Sequence, residues 1–183
     1  MAAVYKIVFA GPSGAGKTEA IHTLSDDEVL SKEAAVYAPG QAGPASTVAL
    51  DRGFVTLDNG DQLHLHGTSG HTGVDAMCGI VTTGSMGLVL LMDGRAADPL
   101  GDLCTSLDAF RHVIEQTRVV VGISRTRPSD RIIRPALADE MVARGLPPVV
   151  MSVDTRKKQD LIILLKTLIF SLPSPPRSTE ASD

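Results

Sequence analysis

A short apolar run, Tyr5-Lys6-Ile7-Val8-Phe9-Ala10, leads directly into Gly11-Pro12-Ser13-Gly14-Ala15-Gly16-Lys17-Thr18. The run reads as a buried strand, and from Lys17 a helical pattern continues through Ala20, Ile21 and Leu24. Gly, four residues, then Gly-Lys-Thr between a strand and a helix is the P-loop pattern, and it commits the chain to an α/β unit. Gly11, Gly14 and Gly16 can take backbone angles closed to other residues, so successive N–H groups, those of Ser13 and Ala15 included, can turn inward around phosphate oxygens. The positive end of the following helix adds to that attraction. Lys17 is placed to reach the β and γ phosphates, and the Thr18 hydroxyl to bind Mg²⁺. The competing reading is an ordinary Gly-rich turn before a helix; pattern and context together favour the phosphate loop.

The chain of 183 residues suits one α/β domain with a tail. Its 43% hydrophobic and 21% charged residues are ordinary for a soluble globular protein. A net charge of −4 and no Lys/Arg cluster speak against nucleic acid as a partner. Cys78 and Cys104 lack CxxC spacing, so buried free thiols are expected, as in a reducing cytoplasm. No signal peptide and no apolar stretch long enough to span a bilayer are visible, which makes a cytoplasmic protein the expectation.

Beyond the loop, Ser31 to Ser46 is rich in Ala, Gly and Pro and reads as a long irregular loop. Thr47 to Leu57 and Gln62 to His66 are extended runs joined through Asp58-Asn59-Gly60-Asp61, an antiparallel hairpin. A polar segment from Gly67 leads to a helix expected between Gly73 and Thr83. Strands are expected at Leu88 to Asp93, Arg118 to Ile123 and Pro148 to Val153. Helices are expected at Leu103 to Gln116, Pro135 to Arg144 and Gln159 to Phe170. The expected organisation is one P-loop domain over residues 1–171 and a disordered Pro/Ser-rich tail over 172–183. Its fold is a P-loop α/β fold: a six-stranded, mostly parallel sheet with one antiparallel hairpin strand and helices on both faces.

From about Tyr5 to Phe170 the order of parts resembles a small Ras-like GTPase, most of all the bacterial group that includes MglA and the GTPases encoded beside roadblock/LC7 proteins. The likeness is carried by the P-loop, by Ser46-Thr47-Val48-Ala49-Leu50-Asp51-Arg52-Gly53 in the place of switch I, by Gly67-Thr68-Ser69-Gly70-His71 in the place of switch II, and by Val153-Asp154-Thr155-Arg156 after the last strand. The resemblance implies that Thr47 joins Thr18 as a Mg²⁺ ligand and senses the γ-phosphate. It implies that the Gly70 N–H meets that phosphate, and that His71 stands where a glutamine orients the attacking water. Ser124, Arg125, Asp154 and Thr155 fall in the base-binding loops. GTP and GDP are the implied ligands, Mg²⁺ the implied cofactor and a roadblock/LC7 protein the implied partner.

Two positions depart from that pattern. Gly67 stands where an aspartate usually positions Mg²⁺, which implies weaker metal binding; Ser124-Arg125-Thr126-Arg127 replaces the guanine-reading segment, and Arg127 cannot accept hydrogen bonds from guanine. Three function classes follow: a slow GTPase switch, a nucleotide-degenerate docking protein, and a P-loop nucleotide kinase. His64, His66 and His71 could in principle form a metal cluster, though strand histidines beside such a loop are more often structural.

Overall fold

The structure, a computed structural model, describes residues 2–37, 44–68, 84–126 and 132–171, with backbone alone at 32–37 and 44–49. The first strand, β1 (Val4–Ala10), lies inside the sheet and feeds the loop that opens α1 (Lys17–Leu24). Next come β2 (Leu30–Tyr37), β3 (Pro44–Thr56) and β4 (Gln62–Thr68), then β5 (Gly87–Asp93). The rest of the chain supplies α2 (Pro99–Ala109), α3 (Arg111–Ile114), β6 (Arg118–Ser124), α4 (Ile133–Ala143), β7 (Val150–Ser152) and α5 (Lys158–Phe170).

These strands form one sheet in the order β2-β3-β4-β1-β5-β6-β7. From β4 to β7 neighbours are parallel, whereas β2–β3 and β3–β4 are antiparallel. The sheet thus has seven strands among the described residues where six were expected, and two antiparallel pairs where one was expected. The difference lies in the stretch from Ser31 to Ser46. Its Lys-Glu-Ala-Ala composition carries no apolar alternation, so strand character is invisible locally; it comes from the ladder with β3, which pairs Leu30 with Arg52 and Ser31 with Asp51. Small and charged residues also suit an edge strand.

The tight turn at Asn59-Gly60 is as expected, with Gly60 at φ 83° and the Leu57 N–H bonded to the Asp61 carbonyl at 2.8 Å. The single helix expected from Leu103 to Gln116 is two, broken at Phe110. It starts earlier because Asp98 caps the Gly101 N–H and Pro99 occupies the first turn. Likewise α4 begins two residues ahead of Pro135, a residue the first helical turn tolerates because proline lacks an N–H and no intrahelical donor is needed there. The helix expected between Gly73 and Thr83, together with Cys78 and the tail, lies outside the described residues. Cys104 is a partly buried free thiol.

Alternation along β1 divides the core. Ile7 and Phe9 pack with Ile21 and Leu24 of α1 and with Leu161, Leu164 and Leu168 of α5. Val8 and Ala10 face the other way, against Leu103, Leu107, Phe110, Leu137 and Met141. Helices therefore cover both faces, and β5 and β6, apolar on both sides, are buried except at Asp93 and Arg118. At roughly 1.5–3 kcal/mol per fully buried large apolar side chain, these two layers hold the ends of β1, β5 and β6 in fixed relation. No helix among the described residues is long and apolar enough to cross a membrane.

Candidate functional site

The loop after β1 is built on its glycines. Gly11 has φ 132°, and a Cβ there would stand 2.1 Å from the Leu91 carbonyl oxygen, so no side chain fits where the loop crosses β5. Gly16 has φ 95° and caps α1. Inside this turn the Lys17 ammonium donates to the carbonyls of Gly11 at 2.8 Å and Pro12 at 2.6 Å. The side chain is nearly fully buried, and burial lowers its pKa to about 8 against the opposing pull of Asp51. An ammonium has three protons, so one remains for a third acceptor. A phosphate oxygen at the loop would offset the desolvation that burial imposes on Lys17.

Next to Lys17, the Thr18 hydroxyl donates to Asp51 Oδ2 at 2.5 Å, and the Ser31 hydroxyl donates to Asp51 Oδ1 at 2.6 Å. Asp51 is buried in β3, and its register partner across the ladder is Gly67 of β4. A hydroxyl that gives its proton to a carboxylate keeps its lone pairs for a cation, and hydroxyl and carboxylate oxygens suit a hard ion such as Mg²⁺. Thr18 and Asp51 therefore fit that ion as a donor set.

On the other flank, the ends of β6 and β7 close over the loop. Ser124 is buried and its hydroxyl donates to the Ala15 carbonyl at 2.8 Å and the Met92 carbonyl at 3.2 Å. Arg125, in the left-handed region at φ 55°, donates to the Gly14 carbonyl at 2.5 Å and pairs with Asp93 at 2.9 Å. Asp154 is clasped by Arg156 through two bonds of 2.9 Å, which pull its pKa down to about 2. The Asp154 N–H is fixed by Asp160 at 2.9 Å. Thr155 is buried against Gly16, where an added Cβ would meet its Cγ2 at 3.0 Å. Gly16, Arg125, Asp154 and Thr155 line one open cavity of about 640 Å³ beside the loop, a size that takes a nucleoside.

The structure thus gathers most of the residues singled out from sequence. Gly11, Ser13, Gly14, Ala15, Gly16, Lys17 and Thr18 form the loop, and Ser124, Arg125, Asp154 and Thr155 flank it. Thr47 lies on β3 opposite Ala35. Gly70, His71 and Arg127 lie outside the described residues. His64 and His66 sit beside cations: Arg52 Nη2 lies 3.3 Å from His64 Nδ1, and burial, with Lys6 and Arg52 nearby, lowers the His66 pKa to about 4. Among the described residues no cluster of three His, Cys, Asp or Glu could hold a metal.

Sequence reasoning passed over Asp51, which it placed in the switch I run without a role, and the cavity residues Glu19, Arg95 and Asp160. For Asp51 a signal existed. A carboxylate directly after the apolar run Val48-Ala49-Leu50, within a strand, is costly to bury unless something binds it, and the Asn59-Gly60 turn fixes the register that sets Asp51 beside Gly67.

No protein-family model matches the chain, and no curated protein matches it.

Proposed function

We propose that this chain is a nucleotide-binding switch that takes GTP and GDP with Mg²⁺, hydrolyses the triphosphate slowly and controls a protein partner through the loops around the phosphates. The observation that carries this reading is Lys17: a buried ammonium, held by the Gly11 and Pro12 carbonyls inside a glycine-built turn, with a nucleoside-sized cavity adjoining it. In that arrangement the loop N–H groups and Lys17 bind the β and γ phosphates. Thr18 and Asp51 would hold Mg²⁺, which when bound supplies charge neutralisation between those phosphates. Arg125 tethers the loop through the Gly14 carbonyl and offers its guanidinium plane to the base.

The GTPase reading, the roles of Thr47, Gly70 and His71, and a roadblock/LC7 dimer as partner rest on the resemblance in sequence. Slow turnover follows from His71 in place of a water-orienting glutamine. The hairpin β2–β3, which carries Thr47, is the surface through which a partner would sense the γ-phosphate.

One observation favours a docking protein that keeps the fold and hydrolyses little. The Ser124 hydroxyl is spent on the carbonyls of Ala15 and Met92, and the Asp154 carboxylate on Arg156. The Asp154 carboxylate on the cavity wall is therefore engaged without a base, and the Ser124 proton goes to the protein's own carbonyls.

The deciding experiment identifies any nucleotide that co-purifies and then measures partner affinity with GDP and with a non-hydrolysable GTP analogue. A switch predicts a preference on the order of a hundredfold, which corresponds to about 3 kcal/mol of coupling, lost in Thr47→Ala. Equal affinity in both states selects the docking protein, and a preference that survives Thr47→Ala moves the sensing role to another residue.

A further inference from the structure

Most of the charged groups that line the cavity beside the phosphate loop are already committed. Arg125 is engaged by Asp93 and the Gly14 carbonyl, and Arg156 by Asp154, whose carboxylate Lys157 also attracts. The Asp160 carboxylate takes the Asp154 N–H. Arg95, in the turn after β5, differs: its backbone is fixed, while among the described residues no hydrogen bond or ion pair engages its exposed guanidinium. Asp93 Oδ1 accepts the Arg95 N–H at 2.9 Å, and Oδ2 of the same carboxylate holds Arg125 at 2.9 Å. The Gly94 N–H donates to the Ser124 carbonyl at 2.8 Å, and a Cβ on Gly94 would stand 3.0 Å from Thr126 Cγ2. The turn therefore lies flush against the end of β6, and one carboxylate anchors both the Arg125 guanidinium and the root of Arg95.

We propose that Arg95 selects the base, and that it does so at the edge of a purine that presents two adjacent acceptors, O6 and N7. The inference rests on the nucleotide reading and deepens it by naming how the base is chosen. A guanidinium carries only donors, set in a planar fork. Guanine offers O6 and N7 side by side, and a fork paired with both discriminates against other bases. Adenine offers N7 beside an amino group, so a donor would face a donor. Hypoxanthine has the same O6/N7 edge as guanine and lacks only the 2-amino group. The opposite edge of guanine, with N1–H and the 2-amino group, calls for a carboxylate, and Asp154 on the cavity wall is held by Arg156. With Arg125 against the face of the ring and Arg95 at its edge, both rooted on Asp93, positions 6 and 7 of the purine decide affinity and position 2 does not.

The test displaces fluorescent GDP from the full chain with GDP, IDP, 7-deaza-GDP and ADP, diphosphates that leave hydrolysis out of the measurement. In the wild type, IDP competes within about threefold of GDP, 7-deaza-GDP is weaker by about tenfold, and ADP is weaker by roughly ten- to a hundredfold. In Arg95→Ala, GDP and IDP fall to the level of ADP, the penalty for 7-deaza-GDP disappears, and ADP itself changes by less than about twofold. Arg95→Lys, which keeps the charge and loses the fork, restores only part of the preference. IDP binding a hundredfold weaker than GDP overturns the assignment, because the 2-amino group would then be read. Equal weakening of GDP and ADP in Arg95→Ala also overturns it, since a cation that merely attracts phosphate behaves in that way. Wild-type protein that binds none of the four refutes the nucleotide reading itself, and the role of Arg95 falls with it.

Discussion

The guanidinium of Arg125, at the end of β6, donates to the carbonyl of Gly14 in the phosphate loop at 2.5 Å, 111 residues away in sequence. Its other nitrogen pairs with Asp93 at the end of β5 at 2.9 Å. One side chain thus bridges the loop to two strand ends and forms part of the cavity wall.

Removal of that bridge in Arg125→Ala is expected to weaken GTP and GDP binding by about tenfold, the value of one charge-assisted hydrogen bond, with the phosphate loop still formed. Isothermal titration checks this. A variant that binds as tightly as wild type would show that the tether contributes nothing to the bound state.

The glycines of the loop make separable predictions. Gly11→Ala drives a Cβ into the Leu91 carbonyl, which is backbone and cannot step aside, so a loss of about 3 kcal/mol or more is expected. At Gly14 nothing lies within 4 Å of the added atom, and the cost reduces to the left-handed backbone at φ 80°, about 1–2 kcal/mol. Urea unfolding of the two variants should separate them clearly. Equal losses would contradict the close crossing of the loop over β5.

Much of this arrangement was legible in the sequence because it is written in local chemistry. Gly11, Gly16, Lys17 and Thr18 announce a phosphate turn, Asn59-Gly60 announces a hairpin, and the apolar run from Leu88 to Met92 announces an interior strand. What stayed hidden depends on pairing between distant segments. Strand β2 has no amphipathic alternation and exists through its ladder with β3. The hydroxyls that hold the Asp51 carboxylate, those of Thr18 and Ser31, come to it from α1 and β2. The same holds for Arg125, whose partners Asp93 and Gly14 belong to other elements.

Protonation of His66 supplies a prediction in pH. Burial first, then Lys6, Arg52 and His64, lower its pKa from 6.5 to about 4, so the fold favours the neutral ring. Above pH 6.5 this group makes no difference to stability. As the pH falls from 6.5 towards 4 the unfolded chain takes up a proton that the folded chain refuses, and stability decreases across that window. His66→Gln should flatten this part of the stability profile, as measured by denaturant midpoints between pH 4 and 7. An unchanged slope in the variant would place the titrating group elsewhere.

Base choice offers a fourth expectation. By the resemblance in sequence Arg127 stands where an aspartate would read guanine, and Asp154, on the cavity wall proposed for the base, is held by Arg156. GTP should therefore exceed ATP in affinity by no more than about a hundredfold in direct competition, since a missing pair of reading hydrogen bonds forfeits several orders of magnitude. Discrimination of many thousandfold would show that another group reads the base.

The central claim is that Lys17 and its loop bind the phosphates of a nucleotide, and titration of wild type and Lys17→Ala with labelled GDP and GTP tests it most directly. The account predicts measurable binding to wild type and a loss of about 2–5 kcal/mol in the variant, because a buried ammonium held by Gly11 and Pro12 is removed from the phosphates. Equal affinity in the two proteins would contradict it.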